Sequence, residues 1–240
     1  MKKINVLNVT FDNVTKEEAV RLAMDCIQEH KGSYVVTPNP EIVMEAATNP
    51  LLTEALEDAS LVLPDGIGII YGAKILGTPL KEKIPGIDFA DDLMQCLSKQ
   101  GGCVYLLGAK PGIAEMAGNN LAAKYPGLKI AGCSDGYFDD DQAVIDEINR
   151  KKPDLLLVCL GFPKQEIWMH NNKGHLDVGL MAGLGGSLDV FAGVVERAPK
   201  NWQKLGLEWL YRLIKQPSRF GRMLRLPLFL LCVIKKRVMK

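Results

Sequence analysis

Short apolar runs rich in β-branched residues alternate along the chain with stretches in which apolar residues recur at helical spacing. This alternation is typical of βα units that build a mostly parallel sheet flanked by helices. The apolar runs predict strands over Ile4–Val9, Tyr34–Thr37, Leu61–Leu63, Val104–Leu107, Lys129–Gly132, Leu155–Cys159 and Val178–Met181. We therefore expect an α/β protein with a mostly parallel sheet.

Local sequence signals predict where several helices begin and end. Apolar spacing predicts a helix over Lys16–Glu29, and a second is expected over Pro111–Lys124, where proline occupies the first turn. Asn39 followed by Pro40 supplies an N-cap and a first-turn signal directly after the second strand. A third helix is thus expected to begin at the carboxyl end of that strand.

Charge divides the chain near Glu196. Residues 196–240 hold twelve Lys or Arg against two Glu, a net charge of +10, so residues 1–195 carry −9 of the total of +1. We expect a core domain over 1–195 and a basic helical appendage over 196–240. Within this appendage Leu226–Ile234 is apolar, about half the roughly 20 residues that a spanning helix needs.

A basic segment with a short apolar stretch is suited to an anionic membrane surface, without spanning the membrane. The alternative is a solvated helical tail whose Leu and Phe side chains pack on the core of the same chain. The N-terminus predicts a strand and not a signal peptide. Six scattered cysteines without a C-x-x-C pair are expected to be reduced, buried thiols of a cytoplasmic protein.

Ligands of open α/β sheets bind at the carboxyl ends of strands, so polar residues that follow strands are candidates for chemistry. Such residues are Thr37, Asn39, Asp65, Gln165, Gly185, Gly186 and Asp189. The glycines would let backbone N–H groups approach a phosphate. Each residue also has a structural interpretation, since Asp65 precedes a glycine as turn residues and N-caps do, and glycine clusters are common in turns.

Two further segments have competing interpretations. Gly108–Gly112 resembles a strand–phosphate-loop–helix unit, and a dinucleotide-dependent oxidoreductase is a rival hypothesis, although no acidic residue for a ribose follows the next strand. Asp139–Asp141 imitates the metal-binding Asp-x-Asp of nucleotide-sugar enzymes, but it directly precedes a helical pattern, where acidic residues favour the helix dipole. With three histidines and no suitable Cys/His spacing, we expect no protein-built metal site.

Six short motifs occur in one order over nearly the whole chain: T-P-N-P-E (37–41), P-D-G-I-G (64–68), P-G-I-D (85–88), G-x-P-K-Q-E (161–166), G-G-S-L-D-V-F-A-G (185–193) and R-A-P (197–199). Together they resemble the WecG/TagA/CpsF glycosyltransferase family, and within it the TagA branch. The resemblance implies a Rossmann-like core flanked by helices. It also implies transfer of N-acetylmannosamine from UDP, with inversion and without a metal or other cofactor. The implied acceptor is N-acetylglucosamine on undecaprenyl diphosphate, and the product is the linkage disaccharide of wall teichoic acid.

The resemblance also implies roles for individual residues. Asp65 matches the family's catalytic base, and Thr37 belongs with it in the catalytic pocket. The polar residues Asn39, Gln165 and Asp189, with Gly185 and Gly186, match positions that bind the sugar nucleotide. Arg212, Arg219 and Arg222 match appendage arginines that reach the diphosphates. Lys83 stands where the family commonly has arginine, and lysine keeps the charge without the bidentate geometry.

The implied location is the inner face of the cell membrane, where the protein would be peripheral, and no nucleic acid partner is expected. A rival from another class is a non-catalytic protein that binds a nucleotide or lipid diphosphate and has no use for a base at Asp65. A family member with a different UDP-sugar donor is a further alternative. The sequence leaves open the donor sugar, the depth to which Leu226–Ile234 enters a membrane, and whether the chain forms a homo-oligomer.

Overall fold

The computed structural model describes residues 2–217 and 220–239, apart from the side chains of Arg222 and Met223. The strands are β1 (Lys3–Val6), β2 (Val9–Asp12), β3 (Ser33–Val36), β4 (Leu61–Val62), β5 (Cys103–Gly108), β6 (Lys129–Ser134), β7 (Leu155–Cys159) and β8 (Leu180–Gly183). The helices are α1 (Lys16–Glu29), α2 (Pro40–Ala46), α3 (Pro50–Glu57), α4 (Ile67–Ile75), α5 (Gly86–Gln100), α6 (Ile113–Lys124), α7 (Asp141–Lys151), α8 (Lys164–Asn172), α9 (Ser187–Phe191), α10 (Lys200–Lys204), α11 (Glu208–Lys215), α12 (Phe220–Met223) and α13 (Arg225–Val238).

The main sheet has six parallel strands in the order β4-β3-β8-β7-β5-β6, so the predicted α/β class is confirmed. Helices cover both of its faces, which explains why β7 is apolar and buried at every position. From β3 the chain continues to β4, at one edge of the sheet. It enters β8, the other neighbour of β3, from β7, which lies on the far side of β8. The carboxyl ends of β3 and β8 therefore form a topological switch point, where a crevice opens in folds of this class.

The predicted first strand, Ile4–Val9, is wrong in form. The structure has an antiparallel hairpin of β1 and β2 that is separate from the main sheet. Leu7 and Asn8 form its two-residue turn, with φ of 48° and 75°. Positive φ at both turn positions matches the twist of a tight hairpin, and asparagine tolerates it better than most residues do.

Side-chain caps fix several helix starts where the sequence predicts them. Thr15 and Glu18 form a reciprocal capping box at the start of α1, whose predicted range is confirmed. Asp140 caps α7 by accepting a hydrogen bond of 2.9 Å from the backbone N–H of Gln142. The acidic segment 139–141 thus has the role of a helix start, as its position before a helical pattern indicated.

Two glycines of α4 allow other helices to approach closely. A Cβ atom at Gly68 would lie 2.6 Å from Pro40 of α2 and 2.7 Å from Leu226 of α13, and one at Gly72 would lie 2.9 Å from Phe229. Gly68 is therefore required for helix packing. Helix α13 of the appendage packs directly against α4 at these two glycines.

Helix α13 contains the predicted apolar stretch, and only one face of this helix packs against the core. Phe229 and Val233 are fully buried in the main hydrophobic cluster, as expected for a tail that packs on its own chain. Leu228, Leu231 and Ile234 are exposed, and their contact with a membrane stays a prediction. No helix in the described part of the chain is long and apolar enough to cross a membrane. The boundary near Glu196 stays a prediction.

The six cysteines are unpaired, as predicted for reduced thiols. Their predicted burial is wrong for most of them, because only Cys159 is buried and the others are partly exposed.

Candidate active site

A cavity of about 340 Å³ opens at the carboxyl ends of β4, β3, β8 and β7. Its volume lies in the range of small-molecule sites. The walls come from the loops after these four strands, from the segment before α5, and from α11 and α13 of the appendage. The predicted residues that line it are Thr37, Asn39, Asp65, Lys83, Gln165, Gly185, Gly186 and Arg212. Residues separated by up to 175 positions in the sequence are thus brought to one site.

Thr37 follows β3 and is held in one orientation. Its hydroxyl donates a hydrogen bond of 3.1 Å to the carbonyl oxygen of Gly183 at the end of β8. Gly86 lies against it, since a Cβ atom there would be 3.1 Å from Oγ1. With its proton engaged by a carbonyl, the hydroxyl is available to the cavity as an acceptor.

The two ends of the Asn39 side-chain amide have different roles. Its Oδ1 accepts hydrogen bonds from the backbone N–H groups of Glu41 and Ile42, at 2.9 and 3.1 Å, which caps α2 as predicted. The carbonyl end is therefore fixed by the helix start. The Nδ2 group remains as the donor that Asn39 offers to a ligand, because it is not needed for the cap.

Asp65 occupies the turn between β4 and α4, where Gly66 takes a φ of 91° and begins the helix without a side-chain cap. Burial raises the pKa of Asp65 to about 6, against the opposing charge of Arg212. The carboxylate of Glu208 raises this pKa as well, whereas Lys83 and a hydrogen bond from the backbone of Gly86 lower it. A carboxyl group with this pKa is ionised at neutral pH and remains basic enough to accept a proton.

Gln165 connects the loop after β7 to the loop after β8. Its Oε1 accepts a hydrogen bond of 2.9 Å from the N–H of Gly185, which has a φ of 54°. Its Nε2 donates a hydrogen bond of 2.8 Å to Oε1 of Glu166. Glu166 is 1% exposed, and its Oε2 has no hydrogen-bond partner among the described residues. Burial raises the pKa of this carboxyl group to about 7. A buried carboxyl group thus fixes the amide of Gln165.

Positive charge reaches the cavity from two directions. Lys83 lies in the segment before α5, and Arg212 projects from α11 of the appendage. Nη2 of Arg212 lies 3.2 Å from Oε1 of Glu208, one turn earlier on the same helix. The two cations face Asp65 closely enough to lower its pKa, so the cavity suits a ligand with negative charge beside a polar group.

Comparison with known proteins agrees with this architecture. The model of the glycosyl transferase WecG/TagA/CpsF family matches residues 4–240. The chain belongs to this glycosyltransferase family. It is 37% identical over 234 residues to a protein of Bacillus spizizenii (strain W23), across 98% of this chain and 91% of the relative. Relatives from Staphylococcus aureus, strains MW2 and NCTC 8325, are each 36% identical over 238 residues, across 98% of this chain and 93% of theirs. All three relatives are named N-acetylglucosaminyldiphosphoundecaprenol N-acetyl-beta-D-mannosaminyltransferase.

One predicted site residue of this glycosyltransferase, Asp189, is not among the described residues that line the cavity. Asp189 lies on α9 behind the glycine turn, and its Oδ2 would be 3.6 Å from a Cβ atom added to Gly186. Arg219 and the side chain of Arg222 lie outside the described residues. Their assignment to a diphosphate stays a prediction.

Gly108, the first residue of the Gly108–Gly112 loop on which the oxidoreductase hypothesis is based, has a packing role in this glycosyltransferase. A Cβ atom at Gly108 would lie 2.3 Å from the carbonyl oxygen of Cys159, because the ends of β5 and β7 nearly touch. The glycine is therefore required by the neighbouring strand. Packing thus explains Gly108 without a dinucleotide, and Gly112 precedes α6 with a φ of 83°.

Sequence reasoning missed several cavity residues of this glycosyltransferase, including Phe162, Gly206, Glu208, Trp209 and Leu226. Glu208 and Trp209 begin α11, and in the sequence neither residue stands out from the basic appendage. In the sequence of α11, E-W-L-Y-R-L-I-K, the charged residues recur three or four positions apart and are separated by apolar residues. That pattern signals a helix with two distinct faces, but nothing in it indicates that one face meets Asp65.

Proposed function

We propose that the protein transfers N-acetylmannosamine from UDP to the 4-hydroxyl of N-acetylglucosamine carried on undecaprenyl diphosphate, which makes the linkage disaccharide of wall teichoic acid. The observation that carries this proposal is the position of Asp65, a carboxyl group with a pKa of about 6 in a cavity that two cations also reach. The names of the relatives support the acceptor and the transferred sugar. A non-catalytic binding protein would have no use for such a base.

The proposed reaction is a single displacement. Asp65 takes the proton of the acceptor hydroxyl while that oxygen forms a bond to the anomeric carbon of the donor. The bond between the anomeric carbon and the UDP oxygen breaks, and UDP leaves with the electron pair. Attack from the face opposite the leaving group inverts the anomeric configuration.

Arg212 and Lys83 are proposed to stabilise the negative charge that develops on the departing diphosphate. Such preorganised cations are effective because they are already in place when the charge forms. Arg212 presents a planar guanidinium that can bind two phosphate oxygens, whereas Lys83 acts as a single point charge. We therefore assign the larger share of leaving-group stabilisation to Arg212.

If arginine and lysine carry this charge, activity should survive excess EDTA. The measurement compares initial rates with and without the chelator, before and after addition of Mg²⁺ or Mn²⁺. Loss of activity in EDTA and recovery with either ion would contradict the proposal and direct attention to Asp139 and Asp141.

The appendage is proposed to keep the protein at the inner face of the cell membrane, where a polyprenyl acceptor is found. The supporting features are its net charge of +10 and the exposed side chains Leu228, Leu231 and Ile234 of α13. Basic residues are attracted to anionic lipid, and apolar side chains enter the boundary between headgroups and acyl chains. The acceptor would thus be met by the same appendage that supplies Arg212.

The direct test offers the purified protein a panel of UDP-sugars with a short-chain lipid-diphosphate N-acetylglucosamine acceptor, and the product is analysed by mass spectrometry and NMR. The expected product is a β-linked disaccharide formed from UDP-N-acetylmannosamine. Preference for another UDP-sugar would retain the reaction class and replace the donor. Absence of transfer with every donor, despite UDP binding, would favour the non-catalytic binding protein.

A further inference from the structure

Four alternating charges connect the core to the appendage. Arg197, in the R-A-P segment, binds Asp88 of α5 with both ends of its guanidinium, through Nη1 to Oδ1 and through Nη2 to Oδ2 at 2.9 Å. Nε of the same guanidinium lies 3.3 Å from Oε1 of Glu208, which also accepts a hydrogen bond from Arg212 at 3.2 Å. The charge chain Asp88–Arg197–Glu208–Arg212 therefore runs from the first turn of α5 to the cavity.

This arrangement is more than a set of surface ion pairs. All four side chains are partly buried, and the Asp88 contact has the bidentate geometry that gives arginine–carboxylate pairs their strength and direction. Although burial of Asp88 opposes it, the hydrogen bonds from Arg197 lower the pKa of this carboxyl group. The hydrogen bonds to Asp88 likewise raise the pKa of Arg197. Both groups are thus charged across the physiological range.

The same segment of the core touches Asp65. Gly86, the first residue of α5, hydrogen-bonds to the Asp65 carboxylate through its backbone, and Asp88 follows two residues later. The motif P-G-I-D therefore contacts the base with one residue and the appendage with another. Around Asp65 the charged residues that line the described cavity are Glu41, Lys83, Glu208 and Arg212.

We propose that Glu208 is a positioning residue, held in place by the Asp88–Arg197 pair, and that it fixes the guanidinium of Arg212 beside Asp65. This inference rests on the proposed function and deepens it, because it explains how the appendage takes part in the site. Arg197 does not contact Arg212 in this arrangement but acts indirectly, by holding Glu208 in place. Neither residue is required to touch the substrate.

The first test is the pH dependence of kcat/KM with a water-soluble acceptor. Glu208→Gln keeps an acceptor oxygen for both arginines but removes a negative charge near Asp65. The acidic limb of the profile should move to lower pH by roughly half a unit, since ionised Asp65 is then favoured. Arg212→Gln removes a positive charge and should move the limb to higher pH. A purely structural role would lower rates without opposite shifts, so unmoved limbs or shifts of one sign would overturn the proposal.

The second test measures hydrogen exchange of the full-length chain without substrate. Arg197→Ala should accelerate exchange in α11 at least roughly tenfold and leave β7 unchanged, because the pair no longer holds the helix. Arg197→Lys should restore protection only in part, since lysine cannot bind bidentately. Lys124→Ala is the matched control, because it breaks an ion pair with Asp91, also on α5, that does not involve the appendage.

Unchanged exchange of α11 in Arg197→Ala would show that the ion pairs do not hold the appendage and would overturn the proposal. This test needs no transfer reaction. If the unaltered protein transfers no sugar, the proposed function fails alone, and exchange still decides whether the charge chain fixes α11.

Discussion

The pKa of Asp65 is raised because the effect of burial is larger than the opposing effect of nearby positive charges. Burial disfavours its charge, while Arg212 and Lys83 favour it, and the result is a pKa of about 6. A base with a much lower pKa would accept a proton poorly, and one with a higher pKa would be protonated at neutral pH. The position of Asp65 at the end of β4 was predictable from the sequence. Its pKa was not, because it depends on residues of the appendage.

Asp65→Asn tests the assignment of the base. The amide has nearly the same shape but cannot take a proton, so turnover should fall roughly 100-fold or more. UDP affinity and thermal stability should change little. Rates from product analysis, UDP affinity from calorimetry and melting temperature from circular dichroism would be measured together. Near-normal turnover of the Asn variant would remove Asp65 from the mechanism.

Glu166 should make folding stability depend on pH. Its pKa is raised from 4.5 to about 7, so between these values the folded protein holds a proton that the unfolded chain gives up. Stability from this group is present below pH 4.5 and is lost as pH rises toward 7. The loss is on the order of 3 kcal/mol for a shift of this size.

Glu166→Gln should abolish that part of the pH dependence. The free energy of unfolding would be measured by urea denaturation at pH 5 and pH 8. The variant should gain stability relative to the unaltered protein as pH rises. Glu115→Gln, at an exposed carboxylate on α6, is the control. Parallel curves for the Glu166 variant and the unaltered protein would mean that Glu166 is ionised in the folded state.

Elements with local signals were predicted well, and elements defined by distant contacts were not. Thr15 and the apolar spacing define α1 within the segment itself, so its range follows from the sequence. The β1–β2 hairpin was missed because Leu7, a poor turn residue, adopts a positive φ there. The close approach of α13 to Gly68 and Gly72 was missed as well, because no local pattern reveals which helix will cross a glycine.

The two faces of α13 should respond differently to truncation of a side chain. Leu231→Ala removes an exposed apolar group, so thermal stability should hold while affinity for anionic vesicles falls at least roughly fivefold. Phe229→Ala leaves a hole beside α4 and should cost about 3–5 kcal/mol of folding stability. Vesicle sedimentation and denaturation would be applied to both variants. Equal vesicle binding by Leu231→Ala and the unaltered protein would exclude this face as the lipid contact.

Across the whole molecule, a total charge of +1 conceals a strong separation of charge, with −9 over residues 1–195 and +10 over the appendage. Such a molecule is oriented by a charged surface although its total charge is small. The separation was visible in the sequence. The direct contact of the appendage with the cavity was not, because it depends on ion pairs between residues more than 100 positions apart.

Vesicle binding should therefore depend on both lipid charge and salt. Vesicles with phosphatidylglycerol should bind the protein, and phosphatidylcholine vesicles should bind it much less. Raising salt from about 0.1 M to 1 M shortens the Debye length from roughly 10 to 3 Å and should release most of the protein. Sedimentation at several salt concentrations measures this. Binding that is insensitive to salt would mean that apolar insertion by α13 dominates.

The part of the cavity wall that α11 and α13 supply comes after β1 to β8 in the sequence. Proteins are synthesised from the N-terminus, and regions can fold as they emerge. The strands of the sheet and the site residues Thr37, Asp65 and Gln165 are therefore synthesised before Arg212 and Leu226. A nascent chain therefore contains the strands of the sheet before it contains the residues that complete the cavity wall.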